Sequence, residues 1–183
     1  MNVASDELGE FFDYFWEDDD CWVYLPVLRE PYDPKTDWKK YMFQWPRQRQ
    51  GVIRHVLRHN AESSNVFFSP AEYRMARATR DMVTGARALW VDFDGNAPQD
   101  WSTIENIPTP TLRVQSSADG REHVYWRLDE FVTDIDWIED RNRAIAYALK
   151  ADTSGWDADQ VLRPIHTTNY KNGLPVHVKE WDR

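Results

Sequence analysis

Cysteine is almost absent from this 183-residue sequence, in which Cys21 is the only one. A disulfide framework and a cysteine-rich zinc site are therefore excluded, which fits a reducing compartment. No apolar run approaches the roughly 18 residues of a membrane span. The first basic residue is Arg29, and no apolar core segment precedes it, which argues against a secretory signal. These absences favour a cytoplasmic protein without a membrane partner, and the length suffices for one sizeable core, in one lobe or two.

The net charge of −9 is unevenly distributed. Residues 1–37 hold 11 acidic and 2 basic side chains, so the whole excess lies there. Such a negative segment repels phosphates, and we expect residues 1–20 not to touch a nucleic acid. The stretch 39–60 instead contains six basic residues and no acid. It indicates either a surface for phosphate backbones or an ordinary solvated helix face.

Hydrophobic periodicity predicts helices in the first half of the chain over residues 5–20 and 46–60, the second with Val52, Ile53, Val56 and Leu57 buried. His55 and His59 lie one turn apart on the second helix, but no third zinc ligand is nearby. Strands are predicted at 21–28, 41–45 and 65–68, with a loop over 31–37. Ser69-Pro-Ala-Glu72 has the capping-box pattern of a helix start.

The segment Arg87-Ala-Leu-Trp-Val-Asp-Phe-Asp-Gly95 predicts a buried strand that ends in two acids. Residues two apart on a strand face the same way, so Asp92 and Asp94 share one face while Phe93 points into the core. Their Cα atoms are expected roughly 6.5 Å apart, which suits one divalent cation or a pair of them. The alternative is a strand end with two solvated acids.

A hairpin is predicted next, with strands over 111–117 and 121–128 and a turn at Ala118-Asp-Gly120. On the second strand Arg121 and His123 project from one face. Arginine makes bidentate bonds to phosphate, and histidine can donate to a phosphate oxygen. The alternative is a surface arginine beside a half-buried, satisfied histidine.

The remaining pattern predicts a short helix from the capping box Ser102-Thr-Ile-Glu105 and a long helix over 133–150 with Ile138, Ile145 and Leu149 inward. Short strands at 161–162 and 176–178 flank a loop over 164–175. Asp152 follows the long helix, and Arg163, Asn169 and Lys171 follow Asp152. Arginine and lysine near metal-bound carboxylates are what a bound triphosphate requires. The irregular alternation of elements around a hairpin predicts the α+β class.

In this order the three motifs resemble the archaeo-eukaryotic primase superfamily, most closely the primase-polymerase domains of phage and plasmid replication proteins. That family has a strand ending in Asp-x-Asp, a Ser- and Gly-containing hairpin ending in His, and an Asp followed by an Arg-x-Pro-Gly-Thr-x-Asn-x-Lys loop. The resemblance covers about residues 65–175. Arg121 replaces a frequent serine, and the loop reads Arg163-Pro-Ile-His-Thr-Thr-Asn-Tyr-Lys171. His166 stands where glycine usually supplies a positive φ.

The resemblance implies a two-lobed module with an RNA-recognition-motif-like catalytic sheet, spanning residues 1–183 as one catalytic domain. Residues 1–60 would form its acidic and basic N-terminal part and 61–183 its catalytic core. Such domains usually sit in a larger replication protein with a helicase, so this chain is expected to be an excised domain. Its expected location is the cytoplasm of a bacterial host, encoded by a phage or plasmid.

The implied activity is template-directed nucleotidyl transfer on single-stranded DNA from ribonucleoside or deoxyribonucleoside triphosphates, with Mg²⁺ or Mn²⁺. Asp92, Asp94 and Asp152 would be the catalytic metal ligands. Asp157 is a rival of Asp152, which is preferred because it lies eleven residues before Arg163. The residues expected to hold the nucleotide are Ser117, Arg121, His123, Arg163, Asn169 and Lys171. Those expected to track the template are Arg54, Arg58, Arg74, Arg77 and Arg80.

Three alternatives stay open on the sequence. Val91-Asp-Phe-Asp-Gly95 also resembles the nucleophile motif of haloacid-dehalogenase-like phosphohydrolases, although Asn96 stands where Thr or Val is usual. The chain could instead be a nucleic-acid-binding module without catalysis. It could also be an acidic interaction protein whose N-terminal segment mimics DNA.

Overall fold

The computed structural model describes residues 3–16, 20–31, 33 and 36–182. These residues form three α-helices, two 3₁₀ turns and ten strands. The helices are α1 (Val3–Phe15), α2 (Arg49–Ala61) and α3 (Ile135–Leu149). The strands are β1 (Cys21–Tyr24), β2 (Val27–Arg29), β3 (Met42–Trp45), β4 (Ser64–Val66), β5 (Glu72–Tyr73), β6 (Val83–Asp94), β7 (Leu112–Gln115), β8 (Arg121–Val132), β9 (Thr167–Asn169) and β10 (Leu174–Trp181).

Eight strands form one antiparallel sheet in the order β3-β1-β5-β6-β8-β7-β10-β9, and β2 pairs with β4 separately. The long neighbours β6 and β8 form its centre, with Leu89 opposite Trp126 and Asp92 opposite His123. One continuous hydrophobic core runs through the described residues. The predicted α+β class is confirmed, since helices pack on a large antiparallel sheet.

Helix α1 covers the face of β8 that carries Tyr125, because its aromatic side chains are all directed inward. Phe11, Phe12 and Phe15 are fully buried, and the Phe15 ring lies 4.9 Å from that of Tyr125. The helix begins at Val3 rather than Ser5 and ends at Phe15. The acidic stretch 17–19, where its end was predicted, lies outside the described residues.

Helix α3 covers β6 with polar as well as apolar side chains. The Asp134 side chain accepts a hydrogen bond from the Trp137 amide and caps its start. Asn142 accepts a hydrogen bond from the Trp90 amide of β6 at 3.0 Å. The inward face contains Ile138, Glu139, Asn142 and Ala146, whereas the predicted Ile145 and Leu149 are only partly buried. A periodicity count of apolar residues overlooks such buried polar contacts.

Both capping-box predictions were wrong. Glu72 and Tyr73 form strand β5, and the Tyr73 hydroxyl donates to Ser69 Oγ at 3.0 Å, so tertiary pairing overrides the local pattern. The helix predicted from Ser102 is a 3₁₀ turn over Trp101–Thr103, whose start is capped by the Asp100 side chain.

Further details of the elements differ from the prediction. The strand predicted over 21–28 divides into β1 and β2 around Pro26, which has no amide proton for a ladder. The loop predicted over 164–175 contains β9, which pairs with β10. In α2, His55 and His59 are buried while Leu57 is only partly so. No helix among the described residues is long and apolar enough to cross a bilayer.

Candidate active site

Asp92 and Asp94 end β6 on the same face of the sheet. Phe93 between them is fully buried against Trp101, with ring centroids 6.2 Å apart. The Asp92 side chain is 26% exposed and that of Asp94 is 72% exposed. Burial, together with the neighbouring charges of Asp94 and Asp152, raises the pKa of Asp92 to about 7. Negative charge is therefore concentrated at a site that only partly reaches water.

Asp152 is brought against this pair by the end of α3. Lys150 adopts a left-handed conformation that ends the helix, and the Asp152 amide then donates to the Asp92 carbonyl at 2.9 Å. Asp152 Oδ1 accepts hydrogen bonds from the amide and the hydroxyl of Ser154, both at 2.8 Å. Asp157 has different acidic neighbours. Burial raises its pKa, and the charges of Asp159 and Glu139 raise it further.

The hairpin places its polar side chains directly across from the two acids. Asp94 is opposite Arg121 in the ladder, and Arg121 Nη1 lies 3.1 Å from Asp94 Oδ1. His123 Nε2 lies 3.7 Å from Asp92 Oδ1. Burial and the nearby charge of Arg163 lower the pKa of His123 to about 3, so its ring is neutral near pH 7.

The environment of His123 departs from the satisfied, half-buried alternative. Its side chain is only 3% exposed. Nδ1 has no hydrogen-bond partner among the described residues. A buried ring nitrogen without a partner, in a histidine whose other ring nitrogen faces a carboxylate, is more typical of a functional site than of a packing role.

The hairpin turn packs against the loop that follows Asp94. Gly120 has a φ of +73°, and its carbonyl accepts hydrogen bonds from the amides of Gly95 and Ala97 at 3.0 and 3.1 Å. A Cβ on Gly120 would lie 2.7 Å from the Gly95 carbonyl oxygen. Ser117 in the same turn is buried, and its carbonyl accepts from the Gln115 side chain at 2.9 Å.

Arg163 reaches the acids from a separate segment of the chain. Leu162 exchanges two backbone hydrogen bonds of 2.8 Å with Phe68, which ties this segment to the stretch that follows β4. The Arg163 guanidinium lies over the Phe67 ring at 4.7 Å from its centroid. Its positive charge, with that of Arg121, partly opposes the rise in the pKa of Asp92. Phe67 is a site residue that the sequence analysis missed.

Gly155 is a further neighbour of Asp92, and Gln160 lies beside Gly155; neither carries a recognisable sequence signal. A Cβ on Gly155 would lie 3.7 Å from Asp92 Cβ and 3.0 Å from Gln160 Nε2. The loop after Asp152 therefore packs closely against the acid. Only the folded chain reveals this contact, because it joins residues more than sixty positions apart.

The rest of the third motif lies further from the acids. His166 adopts a φ of +58°, as expected of the glycine it replaces, and its Nε2 lies 2.6 Å from Glu7 Oε2 of α1. Asn169 is buried, and its Oδ1 accepts from the Lys171 amide at 3.2 Å. Lys171 is exposed. Within the described residues, no hydrogen bond or ion pair joins Asn169 or Lys171 to Asp92, Asp94 or Asp152.

The five arginines predicted to track a template fall into two groups. Arg54 and Arg58 are exposed on α2. Arg74, Arg77 and Arg80 are exposed around the 3₁₀ turn before β6. Arg80 binds Glu139 through hydrogen bonds of 2.7 to 3.0 Å and also pairs with Asp136, so it holds this turn to α3.

The donor set fits a divalent cation in its chemistry, since three carboxylates offer the hard oxygen ligands that Mg²⁺ and Mn²⁺ prefer. The acids do not already converge: among residues 3–16, 20–31, 33 and 36–182, no three His, Cys, Asp or Glu side chains are grouped to hold an ion. Asp94 is turned to Arg121 and Asp152 to Ser154. Both side chains would have to rotate to share a cation with Asp92.

Comparison with known proteins identifies the fold. No protein-family model and no curated protein matches the sequence. The AEP domain of the cyanophage S-2L primase-polymerase matches with a TM-score of 0.70 and 12% identity, over 94% of this chain and 88% of that one. The catalytic domain of primase RepB′, solved in complex with initiator DNA, matches with a TM-score of 0.72 and 16% identity, over 99% and 86%. Another structure of primase RepB′ matches with a TM-score of 0.65 and 15% identity, over 98% of this chain and 57% of that one. The chain thus has the fold of primase catalytic domains, as its motifs indicated.

Proposed function

We propose that the chain is a nucleotidyltransferase of the primase-polymerase type, which synthesises and extends primers on single-stranded DNA. The observation that carries this proposal is the cluster of Asp92, Asp94 and Asp152, flanked by the guanidinium groups of Arg121 and Arg163. Carboxylates that repel each other beside positive side chains are suited to hold cations and a polyphosphate together. The shared fold favours this activity over a phosphohydrolase.

The three acids are proposed to hold two divalent ions, Mg²⁺ or Mn²⁺. When bound, such ions supply the positive charge that activates a 3′-hydroxyl and stabilises departing pyrophosphate. Asp92 contributes a carboxylate whose charged form is disfavoured by burial and by its acidic neighbours, so a bound cation would relieve it. If Asp94 held an ion, Arg121 would lose its present partner, and its guanidinium fork would be available to a phosphate.

The triphosphate of the incoming nucleotide is proposed to lie along Arg121, His123 and Arg163. His123 is neutral, so one ring nitrogen can donate a hydrogen bond without adding charge. The Arg163 guanidinium lies over the Phe67 ring, and this contact limits the orientations of the group. Ser117, Asn169 and Lys171 are assigned to the same nucleotide by the motif resemblance alone.

The template is proposed to be single-stranded DNA, tracked by Arg54, Arg58, Arg74 and Arg77 through its phosphates. Arg80 is the arginine least available to bind the template, because Asp136 and Glu139 already pair with its guanidinium group. A helicase domain or protein is the proposed partner in replication, in the cytoplasm of a host cell. The helicase and the location follow from the family resemblance.

The test is incorporation of labelled nucleotide on a primed single strand with and without Mg²⁺ or Mn²⁺. Asp92→Ala and Asp94→Ala are each expected to abolish incorporation while the chain stays folded. Asp182→Ala removes an exposed carboxylate outside the cluster and serves as the control. Near-wild-type synthesis by either cluster variant in both metals would overturn the proposal.

A further inference from the structure

A groove lies between β3 and α2, on the N-terminal side of the sheet. It has a volume of about 640 Å³ and is lined by Tyr41, Phe43, Gly51, Arg54 and Arg58, among others. A second hollow of about 360 Å³ shares Phe43, Gly51 and Arg54 and adds Arg47. We call the two together the β3–α2 groove.

Aromatic rings form the floor of the β3–α2 groove. The ring centroids of Tyr41 and Phe43 lie 4.6 and 5.1 Å from that of His55. His55 is buried and its Nε2 lies 3.1 Å from the Leu25 carbonyl oxygen. Tyr41 and Phe43 are only partly buried, so each ring is fixed on one side and open on the other. A rigid, half-exposed aromatic surface is suited to stacking.

Positive charge lines the groove, and only part of it is balanced by an acid. None of the residues that line either hollow is acidic. Arg47 and Arg54 have no carboxylate partner among the described residues. Arg58 is 62% exposed in its side chain; among the described residues its one acidic partner is Glu62 at 3.9 Å, and its Nη2 also lies 2.8 Å from His59 Nε2. Arg49 differs, because Asp13 of α1 holds it at 2.7 Å.

We propose that the β3–α2 groove binds single-stranded nucleic acid, with bases stacked on Tyr41 and Phe43 and phosphates held by Arg47, Arg54 and Arg58. Open aromatic faces combined with cations that have no carboxylate partner (Arg47, Arg54) or only a loose one (Arg58) are what a flexible strand with exposed bases requires. A duplex keeps its bases stacked internally and could use only the cations. An acidic peptide would likewise gain little from the rings. That this strand is the template rests on the proposed function, whereas the binding does not.

Gly51 offers a variant that fills the groove without disturbing the core. A Cβ at this position would make only ordinary contacts, at 3.8 Å to Gln48 and 3.9 Å to Phe43. Glycine is also a poorer helix residue than Glu or Gln, so α2 should be stabilised by either. Gly51→Glu places a negative charge in the groove, and Gly51→Gln places the same bulk without it.

The assay is fluorescence anisotropy of a labelled oligothymidine, with EDTA, without nucleotide and over a series of salt concentrations. Gly51→Glu is expected to weaken binding at least tenfold more than Gly51→Gln. Tyr41→Leu and Phe43→Leu should each weaken it about fivefold to a hundredfold, as expected for one lost stack. Arg54→Gln with Arg58→Gln should lower the salt slope by about 1.4.

The matched control is Arg141→Gln with Arg143→Gln on α3, where each arginine is also exposed and lies over a tryptophan ring. This pair should keep wild-type affinity. Folding of every variant is checked by thermal melting. The proposal is overturned if folded groove variants bind like the wild type, if the α3 control loses as much, or if polyglutamate competes as well as oligothymidine.

The same measurements separate this proposal from the proposed catalysis. Asp92→Ala should bind oligothymidine like the wild type and fail only in incorporation. Binding that depends on the groove, without any metal-dependent incorporation, would support strand binding in the groove and refute the proposed polymerase activity. If all groove variants kept both incorporation and their affinity for oligothymidine, the polymerase would stand and the groove would be refuted.

Discussion

Replacing Asp92 with asparagine should make the protein more stable at neutral pH when divalent ions are removed by EDTA. The folded structure raises the pKa of this carboxyl group from 3.8 to about 7, first by burial and then through Asp94 and Asp152. Each tenfold change in proton affinity is worth about 1.4 kcal/mol, so holding Asp92 charged costs up to about 4 kcal/mol. Because 26% of the side chain is exposed, water screens part of this, and we expect a gain of about 2 kcal/mol.

The dependence on pH distinguishes repulsion from any other source of stability. A carboxyl group with a raised pKa holds more protons in the folded than in the unfolded state between about pH 4 and 7. The wild-type free energy of unfolding therefore falls relative to that of Asp92→Asn as pH rises through this window. Below pH 4 residue 92 is neutral in both proteins, so the difference between their free energies of unfolding vanishes. Above pH 7 this difference has its full size.

The assay is urea unfolding in EDTA at pH 4, 6 and 8, supported by thermal melting, in which about 2 kcal/mol corresponds to roughly 4–8 °C. Asp94→Asn is the comparison, because Asp94 is 72% exposed and paired with Arg121, so removing its charge relieves Asp92 but loses this pair and should bring a clearly smaller gain. An equal gain at pH 4 and pH 8, or none at pH 8, would refute the reasoning.

Addition of Mn²⁺ completes this test, since a ligand that binds only the folded state stabilises it by about 2.7 kcal/mol at a hundred times its dissociation constant. The wild type should show such stabilisation at pH 8, and Asp92→Asn should show much less. Equal stabilisation of both proteins would place the ion elsewhere.

Two predictions concern other residues of the site, Asp152 and Phe67. Asp152→Asn should reduce incorporation by orders of magnitude and Asp157→Asn at most several-fold, because only Asp152 adjoins Asp92. Primer extension measures both variants. The reverse ranking would move the metal site to Asp157. Phe67→Leu should raise the KM for nucleotide roughly threefold to thirtyfold with little change in kcat, because the ring that orients Arg163 is lost, whereas Phe67→Tyr keeps it. Equal KM values for the two Phe67 variants would contradict an orienting role.

The sequence predicted those parts of the site that depend on local pattern. Asp92 and Asp94 follow an apolar run, and Asp-Gly marks the hairpin turn, so both strands and their shared face could be predicted. Local pattern failed at Ser69-Pro-Ala-Glu72, where a capping box predicts a helix but sheet pairing decides the conformation. Phe67 could not be predicted, because its role depends on the Leu162–Phe68 bridge between distant segments.

The register between β6 and β8 is the feature on which the proposed chemistry depends, and it is fixed from the opposite face of the sheet. A slip of one residue would place Asp92 across from Glu122 instead of His123 and turn each side chain to the other face. Glu122 is fully buried, where Arg113 binds both its oxygens and Lys179 lies 2.6 Å from Oε1. These ion pairs hold β8 against β7 and β10, and a one-residue slip of β6 would turn the fully buried Phe93 to the other face and a carboxylate into the core, so a slipped ladder is disfavoured. The burial of Phe93 and Glu122 behind the sheet thus keeps Arg121 and His123 opposite the acids in front of it.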